Sequence, residues 1–245
     1  MNADAVAELA IGLMVAADRR IPEQCRLLAQ GRWEKKAFGV ARGLKGRSLG
    51  VIGAGSIGQG MIRRARAFDM HIHAWSRSMT DARAATLGVV NAGSTRDDLL
   101  VLAREMDVVS VHLAAAPGTE GLLDRAFFEA MKPGAIFINT ARGSVIDQDA
   151  MIDVARAKGL RIATDVYAEQ PASKSTDWDC PVASLEHAIT THHIGASTDQ
   201  AQDAVALEVV RIVESLMQDG TFLNCVNADE IITDVETGAR DRAKA

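Results

Sequence analysis

Cysteine is scarce in this 245-residue chain: there are three, and Cys25, Cys180 and Cys225 stand too far apart to form a C-x-x-C pair. Neither a disulfide framework nor a zinc site is indicated, and idle or buried thiols suit a reducing compartment. A basic excess is missing as well. Lys and Arg number 27 against 32 Asp and Glu, a net charge of −5, which argues against nucleic acid as the main partner. No stretch reaches the roughly 18 uninterrupted apolar residues of a membrane span. The apolar N-terminus carries Asp4 and Glu8 and has no basic leader, so it does not read as a signal peptide. The expectation is a cytoplasmic protein with no nucleic-acid or membrane partner. Internal repeats and low-complexity tracts are lacking too. The length fits one large or two small domains with a proper core.

What the chain does have is centred on Ser48-Leu49-Gly50-Val51-Ile52-Gly53-Ala54-Gly55-Ser56-Ile57-Gly58. A short apolar run ends at a G-x-G-x-x-G made by Gly53, Gly55 and Gly58, and a helical pattern follows from Ile57 through Phe68. Strand, glycine turn and helix in that order define a dinucleotide-binding context. Gly53 permits the tight turn, Gly55 lets a pyrophosphate approach the backbone, and Gly58 lets the helix pack closely on its strand. The helix start at Ser56 and Ile57 offers free N–H groups and a positive dipole end to phosphates.

The rest of the chain alternates. Val6, Leu9, Ala10, Leu13 and Ala17 predict a helix over 4–19, and Pro22 suits the first turn of a second one ending near Gly31. Residues 32–46 read as a connection anchored by Trp33 and Phe38. Further strands are predicted at 70–75, 89–90, 107–113, 135–139, 160–164 and 188–191, with helices at 95–104, 123–131, 148–158 and 198–217. His71 and His73 share one strand face; without further ligands at suitable spacing they read as surface or lining histidines rather than a metal site. Strands alternating with helices imply an α/β fold, a doubly wound parallel sheet covered on both faces. Such sheets place function at the carboxyl ends of the strands. That selects Ser76-Arg77, Ala114 to Gly118, Thr140-Ala141-Arg142-Gly143, Asp165 to Pro171 and His192-His193.

Five ordered segments carry a resemblance: V-A-E-L-A-I-G-L with D-R-R-I-P (6–13, 18–22), G-L-K-G-R-S-L-G-V-I-G-A-G-S-I-G (43–58), M-K-P-G-A-I-F-I-N-T-A-R-G (131–143), T-D-V-Y (164–167) and T-H-H-I-G-A-S-T (191–198). With them the chain resembles the NAD-binding half of the D-2-hydroxyacid dehydrogenases, most of all bacterial D-3-phosphoglycerate dehydrogenase-like members. The resemblance implies a Rossmann-type fold and a nicotinamide-dependent oxidoreductase interconverting 2-keto and D-2-hydroxy acids. It implies that Arg142 holds the substrate carboxylate and polarises its carbonyl, a task suited to a planar fork of donors that keeps its charge. His193 falls on the family's acid–base, and histidine titrates near neutrality. Asp165 matches an aspartate near the nicotinamide carboxamide, beside the reading of a structural strand-end aspartate. Thr140 and Ala141 join the glycine turn as expected cofactor contacts. The implied organisation is interdomain and dimerisation helices at 1–34, the NAD(P)-binding domain at 35–197, a helix and return segment at 198–226, and a polar tail at 227–245. The helices at 4–31 then leave apolar faces for a second copy, and a homodimer is expected.

Three departures from the family pattern matter. Gln170 stands directly before Pro171, where the family has the glutamate partner of the histidine, and Glu169 lies one residue earlier as the alternative. An amide hydrogen-bonds without supplying charge. The acidic residue expected about 20 positions after the glycine turn, which binds a ribose 2′-OH, is replaced by Ser76, followed by Arg77 and Ser78. That favours NADP over NAD. Finally, family members carry a domain-sized segment before the point matching Met1, so the expectation is a fragment or a chain without that half. The alternative to an enzyme is a non-catalytic dinucleotide-binding regulatory or interaction module on the same fold.

Overall fold

The computed structural model describes residues 2–225. Two compact units are distinguished, residues 3–198 and residues 199–225 together with Asn2.

In the larger unit the chain opens with α1 (Ala3–Arg19), α2 (Ile21–Ala29) and the short α3 (Lys35–Phe38). It then alternates: β1 (Ser48–Ile52), α4 (Ser56–Arg66), β2 (His71–Trp75), α5 (Asp81–Leu87), β3 (Val90–Asn91), α6 (Arg96–Glu105), β4 (Val108–Val111), α7 (Arg125–Ala130), β5 (Ile136–Asn139), α8 (Gln148–Lys158), β6 (Arg161–Thr164) and β7 (Ile189–Thr190). All seven strands are parallel, in the order β3-β2-β1-β4-β5-β6-β7. The chain starts in the middle of the sheet at β1, builds outward to β3, then crosses back to β4 and builds the other way. That reversal leaves a crevice at the carboxyl ends of β1 and β4.

Side-chain alternation along the strands divides the core in two. Val109, Val111, Phe137 and Ile162 face α6, α7 and α8, where Phe127, Phe128 and Phe137 meet edge to face with centroids 5.0–6.4 Å apart. Leu49, Val51, Val108, Ile136, Ile138 and Ala163 face the other side, with Met61, Ile62 and Ala65 of α4 and Ala10, Leu13, Met14 and Ala17 of α1. Each large side chain so buried contributes roughly 1.5–3 kcal/mol. Gly50 in β1 is a fitting piece of this core: a Cβ there would lie 2.7 Å from Leu102 and 2.8 Å from Met106.

Helix α1 belongs to this core. Ala7 would touch a Cβ on Gly60 of α4 at 3.0 Å, and small residues on both helices allow that approach. At its end, Arg161 donates to the carbonyls of Ala17 and Asp18, both at 3.1 Å, a cation at a helix C-terminus. Asp18 is itself buried and takes Arg47 Nη1 at 2.9 Å and the Gly43 N–H at 3.1 Å. The apolar face expected to await a partner is therefore covered within the unit, and it is α2 that has no buried residue. Trp33 also departs from expectation, since it is 76% exposed, while Phe38 lies under the Arg20 guanidinium at 4.5 Å. Helix α5, capped by Thr80, was not anticipated, because its seven residues carry too little apolar periodicity.

In the smaller unit α9 (Asp199–Asp219) forms one long helix. Glu208 holds Arg211 at 2.6 Å and the Asn224 amide at 2.6 Å, which folds the segment after the helix back along it. The expected polar tail, 227–245, lies outside the described residues.

Candidate active site

At the crevice, β1 ends in the glycine turn, and each glycine has a separate physical reason. Gly53 has φ +102°, and a Cβ on it would sit 2.5 Å from the His112 carbonyl oxygen. At Gly58 a Cβ would collide with the Gly53 carbonyl oxygen at 1.9 Å, so only glycine lets α4 start this close to its strand. For Gly55 there is nothing within 4 Å: the protein leaves that side of the backbone open. Helix α4 has no side-chain cap, and the N–H groups of Ser56 and Ile57 have no acceptor among the described residues. Open space over Gly55 and bare helix N–H groups fit a pyrophosphate.

The neighbouring strand ends carry buried polar atoms without partners: Ser76 Oγ after β2, His112 Nδ1 after β4 and Thr140 Oγ1 after β5. Buried polar groups are normally paired, so three orphans along one sheet edge mark where a ligand would complete them. Burial pushes His112 down to about 4, which keeps it neutral, with Nε2 2.9 Å from Ser110 Oγ. Ser76 and the exposed Arg77 lie at the end of β2, and no carboxylate stands between residues 76 and 80.

The turn after β5 is fixed by Asn139, whose Oδ1 accepts from the Ala141 N–H and whose Nδ2 donates to the Arg142 carbonyl, both at 3.0 Å. This bracket presents Arg142 as an exposed side chain, its Nη1 donating to the Ala141 carbonyl at 2.6 Å. Gly143 follows because a Cβ there would meet the Tyr167 carbonyl oxygen at 1.9 Å, so the Arg142 turn lies flush against the segment after β6.

That segment and the one after β7 hold the histidine. Gln170 Nε2 is 2.6 Å from His193 Nδ1, and Gln170 Oε1 accepts from the Tyr167 N–H at 3.4 Å. Oxygen toward an N–H leaves the amide nitrogen toward the imidazole, so Nδ1 accepts and the ring proton of the neutral histidine sits on Nε2. Glu169 is exposed and makes no side-chain hydrogen bond or ion pair among the described residues; Gln170 is the side chain brought to the histidine. His193 has φ +55°, a left-handed backbone that a non-glycine residue adopts only under constraint. The constraint is Asp165. Its carboxylate, 1% exposed, takes Thr191 Oγ1 at 2.5 Å and the N–H groups of Ile194 at 2.9 Å and Gly195 at 2.8 Å. Three of its acceptor sites thus serve the histidine loop, the structural side of the two readings offered for this residue. Tyr167 adds a further tie, its hydroxyl donating to the Thr191 carbonyl at 2.6 Å; burial raises this phenol well above its ordinary range. Beside His193 lies a cavity of about 390 Å³, lined among others by Tyr167, Gln170, Lys174, Trp178 and His192.

Sequence reasoning singled out the strand ends but not Asn139 as the bracket, Tyr167 as the tie, or Arg83, which reaches from α5 to the Ala54 carbonyl at 2.9 Å. A buried asparagine closing an apolar strand was a usable signal for the first; nothing local marked the others.

A sheet ordered 3-2-1-4-5-6-7 with a glycine turn at its switch point defines a Rossmann-type nucleotide-binding domain. The chain belongs to the D-isomer specific 2-hydroxyacid dehydrogenases, matching the NAD binding domain of that family over residues 11–195. It is 36% identical to a D-3-phosphoglycerate dehydrogenase of Methanocaldococcus jannaschii over 92% of this chain and 41% of that protein. To a hydroxypyruvate reductase of Thermotoga maritima it is 37% identical over 85% of this chain and 65% of the relative. A formate dehydrogenase structure from Granulicella superposes with a TM-score of 0.80 at 26% identity, covering 91% of this chain and 58% of that one. The chain thus spans about two fifths of the length of curated relatives such as the first. Among the described residues, no helix is long and apolar enough to cross a membrane.

Proposed function

We propose that this chain carries the cofactor-binding and acid–base half of an oxidoreductase that interconverts 2-ketoacids and D-2-hydroxyacids. The observation that supports it most is the Gln170–His193 contact on a loop clamped by Asp165, at the same carboxyl edge of the sheet as the open glycine turn, with the Arg142 turn flush against the segment that carries Gln170. The nicotinamide would supply or accept the hydride. Arg142, through its uncommitted N–H groups, would hold the substrate carboxylate and draw electron density from its carbonyl. His193 would deliver a proton from Nε2 to the oxygen in reduction and remove it in oxidation. Gln170 would orient the ring in either state, since turning its amide over presents Oε1 to an Nδ1–H.

For the dinucleotide we propose NADP over NAD. The support is the unpartnered Ser76 Oγ, the adjacent Arg77, and the lack of a carboxylate to bind a ribose diol or repel a phosphate. A homodimer is proposed through the exposed α2 region, where Ile21, Leu28 and Trp33 are uncovered; a monomer mass by light scattering would remove that part.

The test is oxidation of NADPH and NADH by the purified chain with a panel of 2-ketoacids, beside His193→Ala. Turnover that disappears in the variant is the expected result. Cofactor binding without turnover in either protein would favour the non-catalytic module.

A further inference from the structure

The segment after β2 and the glycine turn are joined by one side chain that the chemistry above does not use. Arg83, near the start of α5, donates from Nη1 to Ser78 Oγ at 2.7 Å and from Nη2 to the Ala54 carbonyl at 2.9 Å. Ala54 is the middle residue of the glycine turn, so the guanidinium bridges the two walls between which a nucleotide's adenine-side ribose lies in this fold. We infer that Arg83, with Ser76, Arg77 and Ser78, forms a binding site for a phosphate monoester on that ribose, the 2′-phosphate. The inference rests on the preference for NADP proposed above and assigns it a residue outside the strand-end motif.

Three observations carry it. The guanidinium is part-buried, and two of its five N–H groups are used, leaving three for an anion. Ser76, 8% exposed, has an Oγ with no partner at the same strand end. Ser78, already hydrogen-bonded to Arg83, fixes the guanidinium and keeps lone pairs and a rotatable proton of its own. Asp81, the nearest acid in sequence, is engaged by the Asn91 amide at 2.7 Å. Arg77 has its Nη1 3.8 Å from where a Cβ of Gly118 would be. A planar fork already spanning both walls needs little reordering to take a phosphate, which is where affinity for an anion comes from. A purely structural Arg83 would brace the glycine turn equally for any dinucleotide. The two roles therefore differ in ligand selectivity.

Isothermal titration of the purified chain and its Arg83→Ala and Arg83→Lys variants with adenosine 2′,5′-bisphosphate and with 5′-AMP separates them. The expected result is tighter binding of the bisphosphate by the parent chain. Arg83→Ala should lose about tenfold or more for the bisphosphate and less than about twofold for AMP, with Arg83→Lys in between because it keeps the charge and loses the fork. Equal losses for both ligands, or none for either, would overturn the role of Arg83 while leaving Ser76 and Arg77 in place. A parent chain that binds AMP as tightly as the bisphosphate would overturn the NADP reading itself. A thermal melt of each variant shows whether it is folded, and Arg83→Lys keeps the comparison available if the alanine variant is not.

Discussion

Replacing Gln170 by glutamate tests the site at its centre. The Gln170 amide nitrogen lies 2.6 Å from His193 Nδ1 and donates to it, an arrangement that suits the neutral ring. Protonating Nδ1 sets two donors against each other unless the amide turns over and gives up its bond to the Tyr167 N–H. A carboxylate in the same place reverses the preference: it accepts from Nδ1–H and adds a negative charge roughly 4 Å from the centre of the ring. Both side chains are exposed, so a water-like dielectric applies and the Coulomb part is about 1 kcal/mol, or about 0.7 of a pH unit. A charge-assisted hydrogen bond brings the total to between about one and two units. The titration midpoint of the His193 ring, followed by NMR through its carbon-bound protons, should therefore rise by that amount in Gln170→Glu. Ketoacid reduction needs the protonated ring, so the alkaline limb of its pH–rate profile should move upward equally. Glu169→Gln should leave the midpoint where it was. An unmoved or lowered midpoint in Gln170→Glu would refute the pairing, and a shift in Glu169→Gln would transfer it to the neighbouring residue.

Other expectations follow from the same geometry. Gly58→Ala sets a Cβ 1.9 Å from a backbone oxygen and should cost about 3 kcal/mol in urea denaturation, whereas Gly55→Ala, with nothing within 4 Å, should cost under about 0.5 kcal/mol yet weaken dinucleotide binding by tenfold or more; similar stability losses in both would undo the division of labour in the turn. Asp165→Ala should remove about 3 kcal/mol and abolish the hydrogen-exchange protection of the Ile194 and Gly195 amides, while protected amides would show the histidine loop to be held by something else. His112, pushed down to about 4 by burial, stays neutral in the folded chain between that pH and the 6.5 at which an exposed ring titrates. The unfolded state takes up the proton first, so stability is full above about pH 6.5 and falls by up to about 3 kcal/mol as pH drops toward 4. His112→Gln should flatten that part of the pH–stability curve, and an identical slope in the variant would remove His112 as its cause.

The parallel sheet, its strand positions and the carboxyl-edge positions were legible in the sequence because they rest on local pattern: buried parallel strands are apolar throughout, and a glycine turn between strand and helix has few structural meanings. Elements whose existence depends on tertiary contact were not. Helix α5 is seven residues long and is closed by a Thr80 cap and Gly88 rather than by an apolar stripe. Trp33 looked like an anchor because tryptophan usually packs, but it is left 76% exposed. The site was half legible for the same reason. Arg142, Gln170 and His193 announce themselves by type at strand ends. The bonds that orient them join residues such as Asp165 and Gly195, 30 positions apart, and only folding brings these together.

The burial of α1 sets the size of the piece that can stand alone. Residues 3–19 precede the glycine-loop strand by some 30 positions, yet they close one layer of its core and lend Asp18 to the Arg47 ion pair. A domain cut to begin at β1 would lay bare Met61, Ile62 and Ile138, discard Arg47 together with Asp18, and leave Arg161 without the Ala17 and Asp18 carbonyls it donates to. For recombination or chimera building, the natural seam is thus upstream of Val6, and the first helix travels with the nucleotide fold as its inseparable lining.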